Sequence, residues 1–253
     1  MEDILQLQNV CLTYQTKQSE TSALKDLSFS VKNTEFISII GPSGCGKTTI
    51  LSLIAGLMPV TGGKILFKGS EIKNVSENIG YMLQRDELFP WRTIEKNVYL
   101  PLEIKKINSP QNRNRTLSLI EKYGLKDFLK SYPTELSGGM RQRVALIRTL
   151  ASSPDLLLLD EPFSALDFQT RLKVCNDVYK VIKNEGKTAI LVTHDISEAI
   201  SLSDRIIVLS KRPAKVYKEH EVCFDKSLSP LKRREQAGFG KLFDTLWREL
   251  NDE

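Results

Sequence analysis

Eight consecutive residues have the composition and spacing of a phosphate-binding loop. They match the pattern G-x-x-x-x-G-K-[ST] at every position and read, in order, Gly41, Pro42, Ser43, Gly44, Cys45, Gly46, Lys47 and Thr48. A triphosphate needs several hydrogen-bond donors at once, which the backbone N–H groups of a glycine-rich loop at a helix N-terminus supply. The three glycines are also expected to permit positive φ angles and a close approach of the backbone to phosphate.

The last two residues of this loop have side chains suited to a nucleotide and its metal. The Lys47 ammonium has the length to reach the β- and γ-phosphates, and the Thr48 hydroxyl is a suitable Mg²⁺ ligand. The apolar stretch 36–40 precedes the loop, and an apolar helical pattern that begins with Thr49 follows it. Because the motif requires this strand–loop–helix context, we expect the chain to bind a nucleotide.

Two adjacent carboxylates, Asp160 and Glu161, follow the apolar run 156–159. Sheets of α/β proteins place ligands at the carboxyl ends of their strands, so this pair is expected beside the phosphate-binding loop. Successive strand residues point in opposite directions, which allows the two side chains different roles. Asp160 is suited to holding Mg²⁺ and Glu161 to orienting or deprotonating an attacking water, whereas the alternative is a simple helix cap.

A second element suited to anions begins at Ser137. This residue is a good helix N-cap, Gly138 and Gly139 leave backbone donors open, and residues 141–150 have a helical pattern. Alone, the stretch indicates only a capped helix. Beside the first loop, it indicates that each nucleotide is held by two different chains.

The order of predicted elements indicates an α/β fold with a mostly parallel sheet covered on both faces. The predicted strands are 5–14, 27–31, 35–40, 62–69, 79–84, 156–160, 188–193 and 205–209. The predicted helices include one from the loop to about Leu57, with others at 141–150, 171–183 and 196–202. Pro101 is expected to kink or end the first helix of a helical stretch at 93–153.

This pattern predicts one domain over residues 1–253. Its core spans about 1–87 and 154–225, and a helical lobe of about 88–153 is inserted into it. The C-terminal tail of about 226–253 has apolar residues at helical spacing and is expected to pack on the core.

The composition argues against several classes of protein, among them membrane-spanning and disulfide-rich ones. Of the 253 residues, 41% are hydrophobic and 26% charged, which is ordinary for a soluble globular protein, and no apolar run approaches the ~20 residues that span a bilayer. The acidic start lacks the layout of a signal peptide. Four widely spaced cysteines argue against a zinc site and a disulfide framework. A net charge of +5 permits contact with anionic surfaces without requiring it.

The three motifs together resemble those of the ATP-binding subunits of ABC transporters, over about residues 5–209. Residues 41–48 correspond to Walker A, 136–142 to the signature and 156–161 to Walker B, in the order of that family. Met140 departs from the pattern, since the family most often has Gln there. The resemblance implies a P-loop NTPase fold with an N-terminal antiparallel β region, a mostly parallel core and an inserted helical lobe.

Lesser motifs of that family also have counterparts. Gln84 resembles the Q-loop glutamine that contacts Mg²⁺ and the lytic water. Residues 164–167, which end at Asp167, match the D-loop that contacts the opposite subunit. His194 matches the switch histidine that bonds the γ-phosphate, and Tyr14 lies where family members place an aromatic ring against adenine, although a packing role in its strand is the alternative.

The resemblance therefore implies a set of site residues and the cofactors ATP and Mg²⁺. The implied catalytic residues are Lys47, Gln84, Glu161 and His194. The implied metal ligands are Thr48, Gln84 and Asp160. The implied nucleotide contacts are the eight residues of the loop with Tyr14, Thr49, Ser137, Gly138, Gly139 and Asp167.

The resemblance also implies partners and a location. Two copies form a head-to-tail dimer in which two ATP molecules lie between Walker A of one copy and the signature of the other. Integral membrane permease subunits are further partners, and a ligand-binding protein is an indirect one, whereas nucleic acid is not expected. The implied location is the cytoplasmic face of the cell membrane, as a peripheral subunit.

The segment 88–93 bears on the direction of transport. It carries Trp91 where family members receive a short helix from the membrane subunit, and it resembles the nitrate/sulfonate/taurine branch of importers. That branch carries small anions or small metabolites, including pyrimidine precursors of thiamine. Packing of Trp91 within the lobe is the alternative for this residue.

Two other functions are weighed against import. An exporter ATPase is one, although exporters often fuse this domain to membrane helices. An ATPase acting on nucleic acid or ribosomes is the other, but long coiled coils, a second cassette and a basic run with interleaved aromatics do not occur in this sequence.

Overall fold

A computed structural model describes residues 2–15, 20–225 and 227–252 of the chain. The predicted outer bounds of the chain and of its C-terminal tail, at residues 1, 226 and 253, lie outside the described residues. No helix within the described ranges has both the length and the apolar composition needed to cross a membrane.

The strands and helices alternate along much of the chain. The strands are β1 (Asp3–Gln15), β2 (Glu20–Lys32), β3 (Phe36–Ile40), β4 (Gly62–Phe67), β5 (Ser70–Glu71), β6 (Ile79–Met82), β7 (Leu156–Asp160), β8 (Thr188–Val192), β9 (Arg205–Leu209) and β10 (Val216–Glu221). The helices are α1 (Lys47–Ile54), α2 (Ile94–Ile104), α3 (Pro110–Lys122), α4 (Gly138–Ala151), α5 (Phe168–Asn184), α6 (Ile196–Leu202), α7 (Pro230–Arg233) and α8 (Phe239–Asp252).

Two sheets form the body of the protein. The first is antiparallel, with strand order β2-β1-β4-β5. The second has the order β10-β9-β3-β8-β7-β6, and its strands are parallel except for β10 at one edge. Helices α2, α3 and α4 lie between β6 and β7 in the chain. The predicted α/β fold, with a mostly parallel core and an antiparallel N-terminal region, is confirmed.

The central strands are buried on both faces, which explains their continuous apolar runs. Alternate residues of β7 contact different layers. Leu156 and Leu158 pack with α1 and the antiparallel sheet, whereas Leu157 and Leu159 pack with α4 and α5. A third apolar layer joins β9, α6 and α8, with the fully buried Leu246 of α8 at its centre. The C-terminal tail therefore packs on the core, as predicted.

Several predicted element boundaries are wrong for local reasons. Helix α1 ends at Ile54 rather than near Leu57, because Gly56 has a φ of 72° that breaks the helix. Helix α2 does not end at Pro101: the Lys105 N–H donates to the Pro101 carbonyl at 3.0 Å and completes the last turn. Trp247 has the helical spacing of the buried residues of α8 but is 57% exposed.

Candidate functional site

The predicted site residues follow the carboxyl ends of four parallel strands. The phosphate-binding loop follows β3, Gln84 follows β6, Asp160 ends β7 with Glu161 next to it, and His194 follows β8. Parallel strands end at the same edge of a sheet, so the sheet gathers these side chains from distant parts of the sequence.

The glycines of the loop have two different structural roles. Gly44 and Gly46 have φ angles of 73° and 120°, which other residues rarely adopt. Gly41 is not among the positive-φ residues, contrary to the expectation from sequence. A Cβ atom there would lie 3.0 Å from Cys45 Sγ and 3.0 Å from Leu209 Cβ, so Gly41 is required by close packing.

The Lys47 ammonium lies inside the curve of the loop. Its Nζ donates to the carbonyl of Gly41 at 2.8 Å and to that of Pro42 at 2.9 Å, and the residue is 8% exposed. Ser43 and Gly44, at the tip of the same loop, are exposed. The loop thus combines a held positive charge with backbone that is open to a ligand.

Thr48 and Asp160 form the first side-chain cluster of the site. The Thr48 hydroxyl donates to Asp160 Oδ1 at 3.2 Å, and the Tyr81 hydroxyl donates to Asp160 Oδ2 at 3.3 Å. Burial raises the pKa of Asp160, and these two hydrogen bonds oppose that rise. Burial and the neighbouring Asp160 charge raise the pKa of Tyr81 to about 12, so its hydroxyl is a proton donor at neutral pH.

The donor atoms of this cluster fit Mg²⁺. A hydroxyl oxygen and a carboxylate oxygen lie within hydrogen-bonding distance at the end of the loop, and hard cations of this kind select oxygen ligands. Gln84 is the third predicted ligand, but its Nε2 donates to Oε2 of Glu161 instead. The structure thus brings together two of the three predicted metal ligands.

Glu161 is the centre of the second cluster. Its Oε2 accepts from Gln84 Nε2 at 3.3 Å and lies 3.1 Å from His194 Nδ1. Its backbone has a φ of 43°, which is uncommon for a residue other than glycine and is often found at functional sites. The N–H of Glu161 donates to the Val192 carbonyl at 2.9 Å, which fixes this turn against β8. Three of the four predicted catalytic side chains therefore meet at one carboxylate oxygen, whereas Lys47 bonds to the carbonyls of its own loop.

Tyr14 and Thr49 lie next to the loop. The Tyr14 hydroxyl is 3.4 Å from Thr49 Oγ1, and the tyrosine is 36% exposed at the end of β1. Its ring is therefore open to solvent beside the first turn of α1, where a flat ligand could stack on it.

The signature residues form the capped start of α4, in the helical segment between β6 and β7. Ser137 is exposed, and its side chain accepts from the Met140 N–H at the start of α4. Gly139 is needed for packing, because a Cβ atom there would lie 2.8 Å from Thr170 Cγ2 of α5. Gly138 has less severe constraints, with Leu166 Cδ2 at 3.2 Å. Among the described residues, no hydrogen bond joins Ser137 to the phosphate-binding loop.

Asp167 has a local structural role. Its Oδ1 accepts from the Thr170 N–H at 3.0 Å, which makes it the N-cap of α5. The hydrogen bonds from Thr170 lower the pKa of its carboxyl. The residue is exposed, so the cap leaves it on the surface of the molecule.

Cys45 is more protected than the sequence indicates. It is 1% exposed, and burial raises the pKa of its thiol against the opposing charge of Lys47. The protein itself therefore shields this sulfur from solvent.

Sequence reasoning missed two groups that support the site. Tyr81 contacts Asp160 from β6, and its only signal was a polar aromatic residue three positions before Gln84. Arg171 of α5 donates to the Leu166 carbonyl at 2.9 Å and lies 3.9 Å from Glu198 Oε1 of α6. The sequence carries no local signal for the contact between Arg171 and Glu198, because α5 and α6 come together only in the folded protein.

Comparisons with known proteins identify relatives over almost the whole chain. The sequence profile described as ABC transporter matches residues 24–164. The ABC transporter ATP-binding protein YtlC of Bacillus subtilis (strain 168) is 48% identical over 248 residues, which cover 98% of this chain and 95% of that protein. The aliphatic sulfonates import ATP-binding protein SsuB of Bacillus licheniformis is 47% identical and covers 79% of this chain and 77% of its own length.

A solved structure is also similar. It is the dimeric, post-hydrolysis state of the ATP-binding cassette MJ0796 bound to ADP and Pi. Its TM-score is 0.73 at 32% identity, and the match covers 87% of this chain and all of the solved chain.

Proposed function

Since the chain belongs to the ABC transporter family, as an ATP-binding protein of that family, we propose that it hydrolyses ATP to power import across a membrane. The transported compound is a small anion or small metabolite of the sulfonate, taurine or nitrate type, or of the thiamine-precursor type. The import name of the SsuB relative supports this direction and does not favour the exporter alternative.

One observation supports hydrolysis most directly. Gln84 and His194 both contact Oε2 of Glu161, at 3.3 and 3.1 Å, beside the phosphate-binding loop. An in-line attack on a phosphoryl group requires a positioned water and neutralised charge, with little covalent chemistry from the protein. In this proposal Glu161 orients and deprotonates the water, and Gln84 and His194 hold that carboxylate and the reacting phosphate.

The remaining catalytic groups act on charge. Lys47 turns from the loop carbonyls to the β- and γ-phosphates when the nucleotide is bound. Thr48 and Asp160, with Gln84, would hold Mg²⁺, and the ion would supply positive charge against the phosphate oxygens. Tyr14 stacks on the adenine ring, and the loop residues with Thr49 bind the phosphates.

Two copies of the chain complete the nucleotide site. Ser137, Gly138 and Gly139 of one copy bind the γ-phosphate held by the loop of the other, and Asp167 lies at the contact between copies. The dimeric state of the MJ0796 cassette supports this arrangement. Closure of the dimer on ATP and its opening after hydrolysis then transmit a conformational change.

Permease subunits receive that change. An open cavity of about 490 Å³ surrounds Trp91 and is lined by Arg92, Glu95, Tyr99 and Arg113 among others. Trp91 is 72% exposed, and its ring lies 5.1 Å from that of Phe89. We place the permease here, with a ligand-binding protein acting through it and the chain located at the cytoplasmic face of the membrane. We also propose that the chain divides into a core and an inserted helical lobe of about residues 88–153.

Co-purification tests the proposal. The chain contains two tryptophans, and both Trp91 and Trp247 are exposed, at 72% and 57%. The tagged protein, extracted from its own membranes with mild detergent, is expected to bring down a polytopic membrane protein. Trp91→Ala is expected to lose this partner, because removal of a large anchor from an interface costs about 2 kcal/mol or more of binding free energy.

Trp247→Ala is the matched control and is expected to retain the membrane partner. Neither variant is expected to change ATP hydrolysis by the isolated protein. Recovery of ribosomes or nucleic acid in place of a membrane protein would contradict the transport function.

A further inference from the structure

Tyr81 is the third side chain in the cluster around Asp160. It lies on β6, whose register with β7 pairs Tyr81 with Leu158 and Met82 with Leu159. Its ring packs against the apolar layer between the two sheets, and its hydroxyl reaches out of that layer to Asp160 Oδ2 at 3.3 Å. A phenylalanine would provide the packing alone, so the hydroxyl requires a separate explanation.

The two oxygens of Asp160 have different partners. Oδ1 accepts from the Thr48 hydroxyl at 3.2 Å, and Oδ2 accepts from the Tyr81 hydroxyl at 3.3 Å. These two donors come from different elements, α1 and β6, and together they fix the rotation of the carboxylate. Asp160 is 4% exposed, so solvent contributes little to the orientation of its carboxylate.

Such a contact has a known effect at metal sites. Hydrogen bonds to a ligating carboxylate from outside the coordination sphere hold the ligand in its productive orientation, and their removal commonly lowers metal affinity about 10- to 100-fold. In the proposed function Thr48 and Asp160 are metal ligands, and Oδ1 is the oxygen already turned toward Thr48.

We propose that Tyr81 is a positioning residue for the metal: its hydroxyl holds Oδ2 of Asp160 so that Oδ1 faces Thr48, and it thereby raises the affinity of the ATP-bound site for Mg²⁺. This inference rests on the proposed function, which supplies the nucleotide and the metal. Tyr81 contacts neither of them and acts only through Asp160.

The test separates metal affinity from nucleotide affinity. Protein carrying both Glu161→Gln and Ser137→Arg is expected neither to turn over ATP nor to dimerise, and isothermal titration of it gives the Kd for ATP in excess EDTA and in saturating Mg²⁺. By linkage, the ratio of the two constants equals the factor by which the protein strengthens Mg²⁺ binding to ATP. Adding Tyr81→Phe is expected to lower this ratio about tenfold and to leave the metal-free Kd within about twofold.

Two further variants control for structure. Tyr217→Phe removes a hydroxyl from β10, the opposite edge strand of the same sheet, and is expected to leave the ratio unchanged. Tyr81→Met fills the space with a flexible apolar chain and is expected to repeat the loss even if the phenylalanine variant folds poorly.

Three results would overturn the inference. An unchanged ratio in Tyr81→Phe would show that the hydroxyl does not act on the metal. An equal loss of metal-free ATP affinity would show that it supports the loop rather than the metal. If the parent protein itself binds ATP equally with and without Mg²⁺, the metal part of the proposed function fails, and the inference fails with it.

Discussion

At the scale of single residues, Glu161 combines an unusual backbone with an unusual set of neighbours. Its left-handed conformation, with a φ of 43°, turns the chain directly after β7. The two adjacent carboxylates therefore have different partners. Asp160 contacts Thr48, whereas Glu161 contacts Gln84 and His194. This turn, together with the alternation of strand residues, separates the carboxylate that we propose binds the metal from the one that we propose activates water.

Replacement of Glu161 by glutamine tests its role as the base. The amide keeps the size of the side chain but cannot accept a proton, so Glu161→Gln is expected to bind ATP normally and to hydrolyse it at least about a hundredfold more slowly. Steady-state phosphate release and ATP titration measure the two quantities. Glu87→Gln is a suitable control, because Glu87 is also left-handed, at a φ of 46°, and exposed. Turnover at the wild-type rate in Glu161→Gln would reject the assignment.

At this scale the sequence predicted where the loop, Asp160 and Glu161 lie in the fold, at the ends of β3 and β7. Their chemistry depends on adjacent residues and on a strand end, both of which are local. The contact of Tyr81 with Asp160 depends on a pairing between segments that are 79 residues apart in the sequence. The interior position of Lys47 depends on how its own loop folds, because its Nζ bonds to two carbonyls of that loop. The expectation for Gly41 failed because crowding by Leu209, which is remote in sequence, decides that position.

At the scale of elements, α5 and α6 connect the loop at residues 164–167 with His194. Arg171 of α5 donates to the Leu166 carbonyl at 2.9 Å and lies 3.5 Å from Asp195 Oδ2. Glu198 of α6 accepts from the Thr193 hydroxyl at 2.7 Å. Thr193 and Asp195, on either side of His194, are therefore linked through α5 and α6 to the loop at 164–167. We propose that this loop lies at the contact between copies.

The burial of Glu198 predicts a pH dependence of stability. Burial raises the pKa of Glu198 to about 7 from its ordinary 4.5, against opposing contacts with Thr193 and Arg171. The folded protein then binds this proton more tightly than the unfolded chain, so its contribution to stability falls as pH rises from about 4.5 to about 7. Glu198→Gln removes this term.

Urea unfolding at several pH values measures the effect. The difference in unfolding free energy between Glu198→Gln and the wild type is expected to shift in favour of the variant by up to about 3 kcal/mol between pH 5 and pH 8. Glu235→Gln, at an exposed position, is expected to show no such shift. A difference that stays constant with pH would contradict the raised pKa.

The elements themselves were predictable where their residues are buried on both faces. Strands β7 and β9 and helix α6 have the bounds expected from sequence. Strand β10 was not predicted, because its residues are mostly charged or polar and it is an edge strand. Strand β2 is much longer than the predicted 27–31, since its first three residues are exposed and are held by pairing with β1.

At the scale of the whole molecule, the predicted site residues come from two parts of the fold. The loop, Asp160, Glu161 and His194 lie together at one edge of the six-stranded sheet. Ser137 lies at the start of α4, where its hydroxyl accepts a hydrogen bond from the Met140 N–H of the same helix. A site of two halves on one chain is explained if each half completes a site with the other copy, and this is the central claim of the proposed function.

Sedimentation velocity of Glu161→Gln protein with Mg²⁺ and ATP tests that claim most directly. The protein is expected to sediment as a dimer with ATP and as a monomer without nucleotide. Adding Ser137→Arg, which places a bulky side chain at the start of α4, is expected to keep the protein monomeric while the ATP affinity of the monomer is unchanged. A Ser137→Arg protein that still dimerises with ATP, or one whose monomer loses ATP affinity, would contradict a nucleotide site shared between two copies.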